Sequence, residues 1–184
     1  VAVAQKGMEI MKDYWLAKLI SSVSEVDSRK RLQKAIYLLQ FCKGFPLKFD
    51  YLLHYYGPYS FELASLIDQL DSAEIIKEFP ETTAFGSIRY KSRITDKGNC
   101  VLKNFQKSEA GKKAYRQISA FIPLFEKLNK KNLRVLELAA TAAYYHKATW
   151  KDAQARTATF KKIAIDNSEL KNAVKLARIF KTPQ

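Results

Sequence analysis

Phe49-Asp-Tyr-Leu-Leu-His-Tyr-Tyr-Gly-Pro-Tyr-Ser-Phe-Glu-Leu-Ala-Ser-Leu-Ile-Asp-Gln-Leu-Asp-Ser-Ala-Glu-Ile-Ile76 is the stretch around which the rest of the chain is read. Phe49, Tyr51, Leu53 and Tyr55 recur at period two, which predicts a strand over 49–56. Leu52 and Tyr56 on the other face are also apolar, which predicts cover on both sides. Gly57-Pro58 should stop that strand, because proline lacks the ladder N–H and Gly-Pro favours a turn. Ser60 can cap the following helix, with Glu62 near its positive end. Leu63, Leu66, Ile67 and Leu70 form one buried stripe at helical spacing. Ile75 and Ile76 open the next strand. An extended run, a turn, a helix and a strand in this order predict the middle of a winged-helix unit.

Before this stretch, Met11, Tyr14, Trp15 and Leu19 predict a first helix over 8–22. Asp27 or Ser28 caps a second, whose stripe is Leu32, Ala35, Ile36, Leu39 and Cys42, widened by Tyr37, Leu38 and Phe41. Its first turn carries Arg29, Lys30 and Arg31, cations that oppose the helix dipole and are read as solvated unless an anion sits there.

After it, Ile75–Phe79 and Ile88–Ile94 predict a hairpin joined by the loop 80–87. In the return strand Arg89, Lys91 and Arg93 share one face. Thr95 caps a helix with Val101, Leu102 and Phe105 buried. A helical run over 108–131 should kink or split at Pro123. Asn132, Thr149 and Asn167 or Ser168 start three more helices, the first carrying the small-residue run Leu138-Ala-Ala-Thr-Ala-Ala143 that permits close helix approach.

The 184 residues suit one domain or one domain with a packed extension. The expected architecture is mainly α (α+β): a winged-helix-like core over 1–107 with a small antiparallel sheet, and a C-terminal helical extension over 108–184 packed on it. The start of the sequence does not read as a signal peptide, and no apolar stretch reaches a membrane span. Cys42 and Cys100 sit in helical apolar patterns and are read as buried thiols of a cytoplasmic protein.

The net charge of +14 is uneven. Residues 1–80 hold ten Lys/Arg and ten Asp/Glu, whereas residues 81–184 hold 22 and 8. The surplus attracts polyanions: nucleic acid, an acidic protein or an anionic surface. The helix over 60–73 contains Glu62, Asp68 and Asp71 and no Lys or Arg, so major-groove reading by it is disfavoured. It is read as a structural helix with a solvated acidic face. The candidate nucleic-acid surface is instead Arg89, Lys91 and Arg93 of the hairpin, extended by Lys112, Lys113 and Arg116 and by Lys127, Lys130, Lys131 and Arg134. The candidate partner-binding surface is Tyr56 and Tyr59 beside the Gly-Pro turn, with Glu62 and Gln69 of the acidic helix. No catalytic or metal residues are assigned and no cofactor is expected. His54 and His146 lie far apart, and no phosphate loop, metal-spaced cluster or nucleophile elbow is present.

Three segments carry a resemblance: Arg29-Lys-Arg-Leu-Gln-Lys-Ala-Ile-Tyr-Leu-Leu-Gln40, His54 to Leu70 with its Gly57-Pro58, and Ile94-Thr-Asp-Lys-Gly98. They resemble the YwgA-like bacterial proteins and, more distantly, the Panacea family of SocA-like antitoxins. The stretch 136–153 also looks like the C-terminal helices of the YwgA-like proteins, so the resemblance spans residues 28–160. It implies a helical fold with a small sheet and a role as antitoxin, regulator or adaptor, not as enzyme. The resulting expectation is a non-enzymatic regulator acting by macromolecular binding, with nucleic acid or an acidic protein as partner. The alternative is an interaction module that binds a toxin or client protein without nucleic acid. Either could work as a homodimer, and neither involves a membrane.

Overall fold

The computed structural model describes residues 2–181, with side chains from Met11 onward. It is mainly α with two small antiparallel sheets of two strands each. Helices α1 (Ala2–Ile20) and α2 (Arg29–Leu39) precede a short hairpin, β1 (Leu52–His54) and β2 (Gly57–Tyr59). Helix α3 (Phe61–Ser72) leads into a longer hairpin, β3 (Ile76–Thr82) and β4 (Ile88–Ile94). Six helices follow: α4 (Asp96–Lys107), α5 (Glu109–Ser119), α6 (Ile122–Asn129), α7 (Leu133–Tyr145), α8 (Trp150–Lys161) and α9 (Ser168–Lys181).

Side-chain caps set many of the helix starts. Ser28, Ser60, Thr95, Ser108 and Thr149 each accept a backbone N–H from the first turn they precede, and Asn132 and Asn167 do the same with their amide oxygens. Pro123 divides the run at 108–131 into α5 and α6, standing in the first turn of α6 where its missing N–H costs nothing.

Helix α2 is the axis of the molecule. From Arg31 to Leu39 every residue is buried, which makes it a core helix and not an amphipathic one. Leu32, Ile36, Leu38 and Leu39 are wholly enclosed, and each such side chain contributes roughly 1.5–3 kcal/mol. Helix α2 packs against α6, α7 and α9 on one side and α3 on another. The expected halves meet here in one continuous core, which joins Trp15 of α1, Phe125 of α6 and Phe180 of α9. Ala139, Ala140, Ala142 and Ala143 of α7 are wholly buried, and α7 packs closely on α9, whose Ala173 and Ala177 are wholly buried too.

Most polar side chains of α2 are met by loops that wrap it, the buried Arg31 Nε being left without a hydrogen-bond partner. Gln33 is 1% exposed and pairs with one residue at both ends of its amide: it accepts from the Ser60 N–H at 2.9 Å and donates to the Ser60 carbonyl at 2.8 Å. Lys34 Nζ donates to the Pro58 carbonyl at 2.6 Å. Gln40 repeats the double pairing with Phe49, at 3.1 and 3.0 Å. Arg31 donates to the carbonyls of Asn129 and Lys131 at the end of α6, groups that no helical N–H can reach.

The structure corrects the reading of residues 49–58. The strand is only three residues long, and Tyr55 and Tyr56 form the turn. Gly57 and Pro58 do not stop a strand; they return it, pairing with His54 and Leu53. Leu52, Tyr55 and Tyr56 are exposed, so cover exists on the Phe49 and Leu47 side alone. Pro80 likewise lies inside β3, opposite Tyr90, and not in the hairpin loop. Val26 pairs with Ser92 through two hydrogen bonds of 2.9 Å, adding a single rung beside β4. Val101 and Cys100 of α4 are exposed, and Cys42 is half-buried beyond the end of α2.

Gly57 has φ +89°, and a Cβ there would lie 2.7 Å from Thr141 Oγ1 on α7. Gly57→Ala is therefore expected to destabilise the fold by roughly 2–4 kcal/mol, from backbone strain and overpacking together. Gln33→Leu should cost roughly 1–3 kcal/mol, because it strands the buried Ser60 N–H, while the Ser60 carbonyl keeps the Ala64 N–H of α3. Urea unfolding of each variant against the parent chain measures both effects, and a loss under 1 kcal/mol for Gln33→Leu would mean that water replaces the amide.

Candidate functional site

A cleft of about 380 Å³ opens between the first half of α2 and the β1–β2 hairpin. Its aromatic wall is His54, Tyr56, Tyr59 and Phe61; Gln33 and Lys34 form the floor, and Arg29 and Lys30 the rim. Phe61 is 70% exposed and Tyr56 47%, both large apolar surfaces that folding leaves open. Tyr59 meets Phe61 edge-on with centroids 5.1 Å apart, and His54 lies 6.3 Å from Tyr56 and 6.1 Å from Tyr59. Lys30 Nζ sits 3.7 Å above the Tyr56 ring, a cation–π contact.

Behind the cleft lies a charge cluster that spans α2, α7 and α8. The Glu137 side chain is 6% exposed and receives Lys161 at 2.7 Å, Arg134 at 3.0 Å and Lys30 at 3.6 Å. Lys161 also donates to the Tyr55 carbonyl at 2.6 Å, which ties the hairpin tip to α8. With Lys34, four cationic side chains face a single carboxylate. Burial pushes the Lys34 amine down to about 7; Glu137 opposes the shift, and Lys161 and Lys30 reinforce it. Burial also lowers Lys161, against the pull of Glu137.

The basic hairpin face is paired within the fold. Arg89 bridges Asp27 at 3.2 Å and Glu81; Lys91 bridges Glu81 at 3.0 Å and Glu25 at 3.2 Å; Arg93 meets Glu25 at 2.7 Å. Hydrogen bonding to Glu81 raises both Arg89 and Lys91. Burial works against Glu25, yet Arg93 and Lys91 hold its carboxyl below the usual range. Three cations and three carboxylates thus form one network on this surface. Lys112, Lys113 and Arg116 stand exposed on α5, where Lys112 meets Glu109 at 2.7 Å.

The other predicted residues divide. Tyr56 and Tyr59 line the cleft. Glu62 instead pairs with Lys12, and Gln69 lies in a separate depression between α1, α3 and α4 with Asp13 and Phe105. The acidic face of α3 is exposed as expected, with the Glu62 and Asp68 side chains 50% and 60% exposed, but its carboxylates are paired: Asp68 meets Arg29 at 2.6 Å, and Asp71 accepts from the Glu78 N–H at 2.9 Å. Of the α2 cations, Arg29 and Arg31 are engaged within the fold, whereas Lys30 stands at the cleft rim. Arg29 grips both Glu78 oxygens through Nε, at 2.9 and 3.0 Å, and Arg31 is 8% exposed. At the end of α7 the cation is Lys181, which donates to the Ala143 and His146 carbonyls at 2.6 and 2.9 Å. Burial and then Lys181 lower His146, which stacks on Trp150 at 4.0 Å.

Reading by local pattern missed Gln33, Lys34, Phe61, Glu137 and Lys161. Two signals were present. Gln33 and Lys34 stand between the apolar Leu32 and the apolar run Ala35 to Leu39, and Glu137 is the one charge within Leu136 to Tyr145. A polar side chain at a core position needs a specific partner.

The chain is 31% identical over 130 residues to the uncharacterized protein YwgA of Bacillus subtilis strain 168, covering 71% of this chain and 72% of that one. The chain belongs to the YwgA family. No family model matches it. Among the described residues of this YwgA-family chain, no helix is long and apolar enough to cross a membrane, and no group of three His, Cys, Asp or Glu is placed to hold a metal ion.

The Lys34 amine gives a pH signature. Its value falls from 10.5 unfolded to about 7 folded, so between those limits the unfolded chain holds more protons. Its penalty is full below pH 7 and fades as pH rises toward 10.5. The stability of the parent chain minus that of Lys34→Met should therefore climb from pH 7 to 10, by at most about 1.4 kcal/mol per pH unit. Urea unfolding across that range measures it, and parallel curves would mean that Lys34 titrates normally.

Proposed function

We propose that this YwgA-family chain is a non-enzymatic adaptor or regulator that binds a partner protein through the α2–hairpin cleft. One contrast carries the reading: the hairpin cations are matched by Glu25, Asp27 and Glu81, whereas the cleft keeps Phe61 and Tyr56 open beside Lys30. Exposed aromatics around a cationic rim are the composition of a protein-binding hot spot. The hairpin lies on a rigid base and needs little reordering on binding, which favours affinity.

We read α1, Val26, α2, α3 and the β3–β4 hairpin as a winged-helix-like unit, since helix, strand, two helices and hairpin follow in that order. In a DNA-binding wing the basic strand is open to phosphates. Here the corresponding cations have carboxylate partners, which argues for a protein ligand over DNA. An antitoxin role of the kind the Panacea resemblance implies is the case in which that partner is a toxin. A second reading keeps nucleic acid as the partner of the helical half, on the exposed Lys113 and Arg116 and the surplus charge of residues 81–184.

A photo-crosslinking residue at position 61, compared with one at the exposed loop position 85, decides between them in the native host. The expected result is a discrete protein adduct from position 61 that is absent from position 85 and lost with Lys30→Glu. Nucleic-acid adducts alone, or the same adducts from both positions, would overturn the proposal.

A further inference from the structure

The cleft also says what its partner must offer, an inference that rests on the protein-binding reading above. We infer that it takes a short segment of a partner protein in which a carboxylate stands next to a large apolar side chain, preferably aromatic.

The charge balance sets the first half of this requirement. Glu137 is shared among Lys161, Arg134 and Lys30, and Lys34 lies in the same field. One buried carboxylate shared by three cations leaves positive potential at the rim, to which Lys34 adds when it is protonated. The donors also have spare capacity. An ammonium carries three N–H groups. Lys34 is 2% exposed and lines the cleft, and among the described residues its hydrogen-bond partner is the Pro58 carbonyl. Lys30 stands 3.6 Å from Glu137, beyond hydrogen-bond range, with its ammonium over Tyr56. Lys30 can turn toward an incoming oxygen, and Lys34 backs it from the floor of the cleft.

The number of open donors selects one small anionic group, which in a segment of partner protein is a carboxylate. The planar fork at the rim, Arg29, is engaged through Nε and Nη2 by Glu78 and Asp68. What remains is the Lys30 point charge with Lys34 beneath it, enough for one carboxylate. A nucleic-acid strand would need a continuing row of open cations. The neighbouring arginines and lysine of β4 are instead matched by Glu25, Asp27 and Glu81.

The wall sets the second half. Phe61 and Tyr56 present ring surface, and Tyr59 and His54 close the remaining side. A volume of about 380 Å³ holds one large side chain and its flanking backbone. A ring there gains offset or edge contacts beyond simple burial. An isolated anion would leave that wall exposed, and a purely apolar segment would leave the cations unmatched.

The test is selection of a phage-displayed library of 12-residue peptides on the intact chain, then fluorescence anisotropy with selected peptides. The expected peptides carry Asp or Glu within two positions of Phe, Tyr, Trp or Leu. Changing that Asp to Asn, or the protein's Lys30→Glu or Phe61→Ala, should each weaken binding by about tenfold or more. Lys113→Glu, the same charge change on exposed α5, should alter it less than about twofold. Thermal melts of the three variants confirm that each is folded. Peptides lost with Phe61→Ala but unaffected by Lys30→Glu or by Asp→Asn would overturn the carboxylate requirement and leave the protein-binding reading standing. Binding indifferent to both cleft variants, or no enriched peptide at all, would overturn the inference; the crosslink from position 61 then judges the broader reading separately.

Discussion

Gln33 donates to and accepts from the same buried residue, Ser60, from within the stretch Arg31–Leu39 of α2 in which every residue is buried. A hairpin of two three-residue strands has no independent stability in water. Its shape is imposed from behind by Gln33 on Ser60, Lys34 on Pro58, Lys161 on Tyr55, and the close approach of Gly57 to Thr141. These contacts come from α2, α7 and α8. The cleft's floor and its aromatic wall are therefore fixed by the same buried helix, and the exposed rings are carried on a base with little freedom left to lose.

The Gly-Pro dipeptide has its meaning in this frame. Gly57 adopts a backbone conformation that L side chains avoid, which lets the chain turn back directly against α7. Pro58 lacks an N–H, so its place opposite Leu53 removes one ladder donor, while its carbonyl becomes the acceptor for Lys34. A buried lysine is costly on its own. Replacing Lys34 and Glu137 by apolar groups of similar volume could hold a fold equally well. Their presence beneath an open aromatic cleft ties that cost to the site.

Much of the fold was legible because helix starts are local chemistry. Ser60, Thr95 and Thr149 cap within three residues of themselves, and Pro123 breaks a helix by its own ring. The stripe Leu63, Leu66, Ile67, Leu70 is buried as its spacing requires. Residues 49–56 misled because alternation reports which side chains are apolar, not where a tertiary contact turns the chain. Tyr55 and Tyr56 extended the pattern past the true end of the strand. The site was less legible for a related reason. Arg93 meets Glu25 across 68 residues, and Lys161 meets Tyr55 across 106. No window of sequence contains both members of such a pair.

The same separation explains why a balanced first half and a basic second half do not give a neutral face and a basic face. Glu25 and Asp27 come from the balanced half and are spent on Arg93, Lys91 and Arg89 of the basic one. Glu137 comes from the basic half and reaches Lys30 of the balanced one. Exchange across the core moves the unmatched charge away from where the composition put it. At the α2 rim Arg29 is held by two carboxylates, while Lys30 has only a distant share of one that two closer cations already occupy. It rests on a tyrosine ring instead of on an anion. A cation so placed gives up the least when an external carboxylate arrives, and that makes the cleft, not the hairpin, the electrostatically open part of this surface.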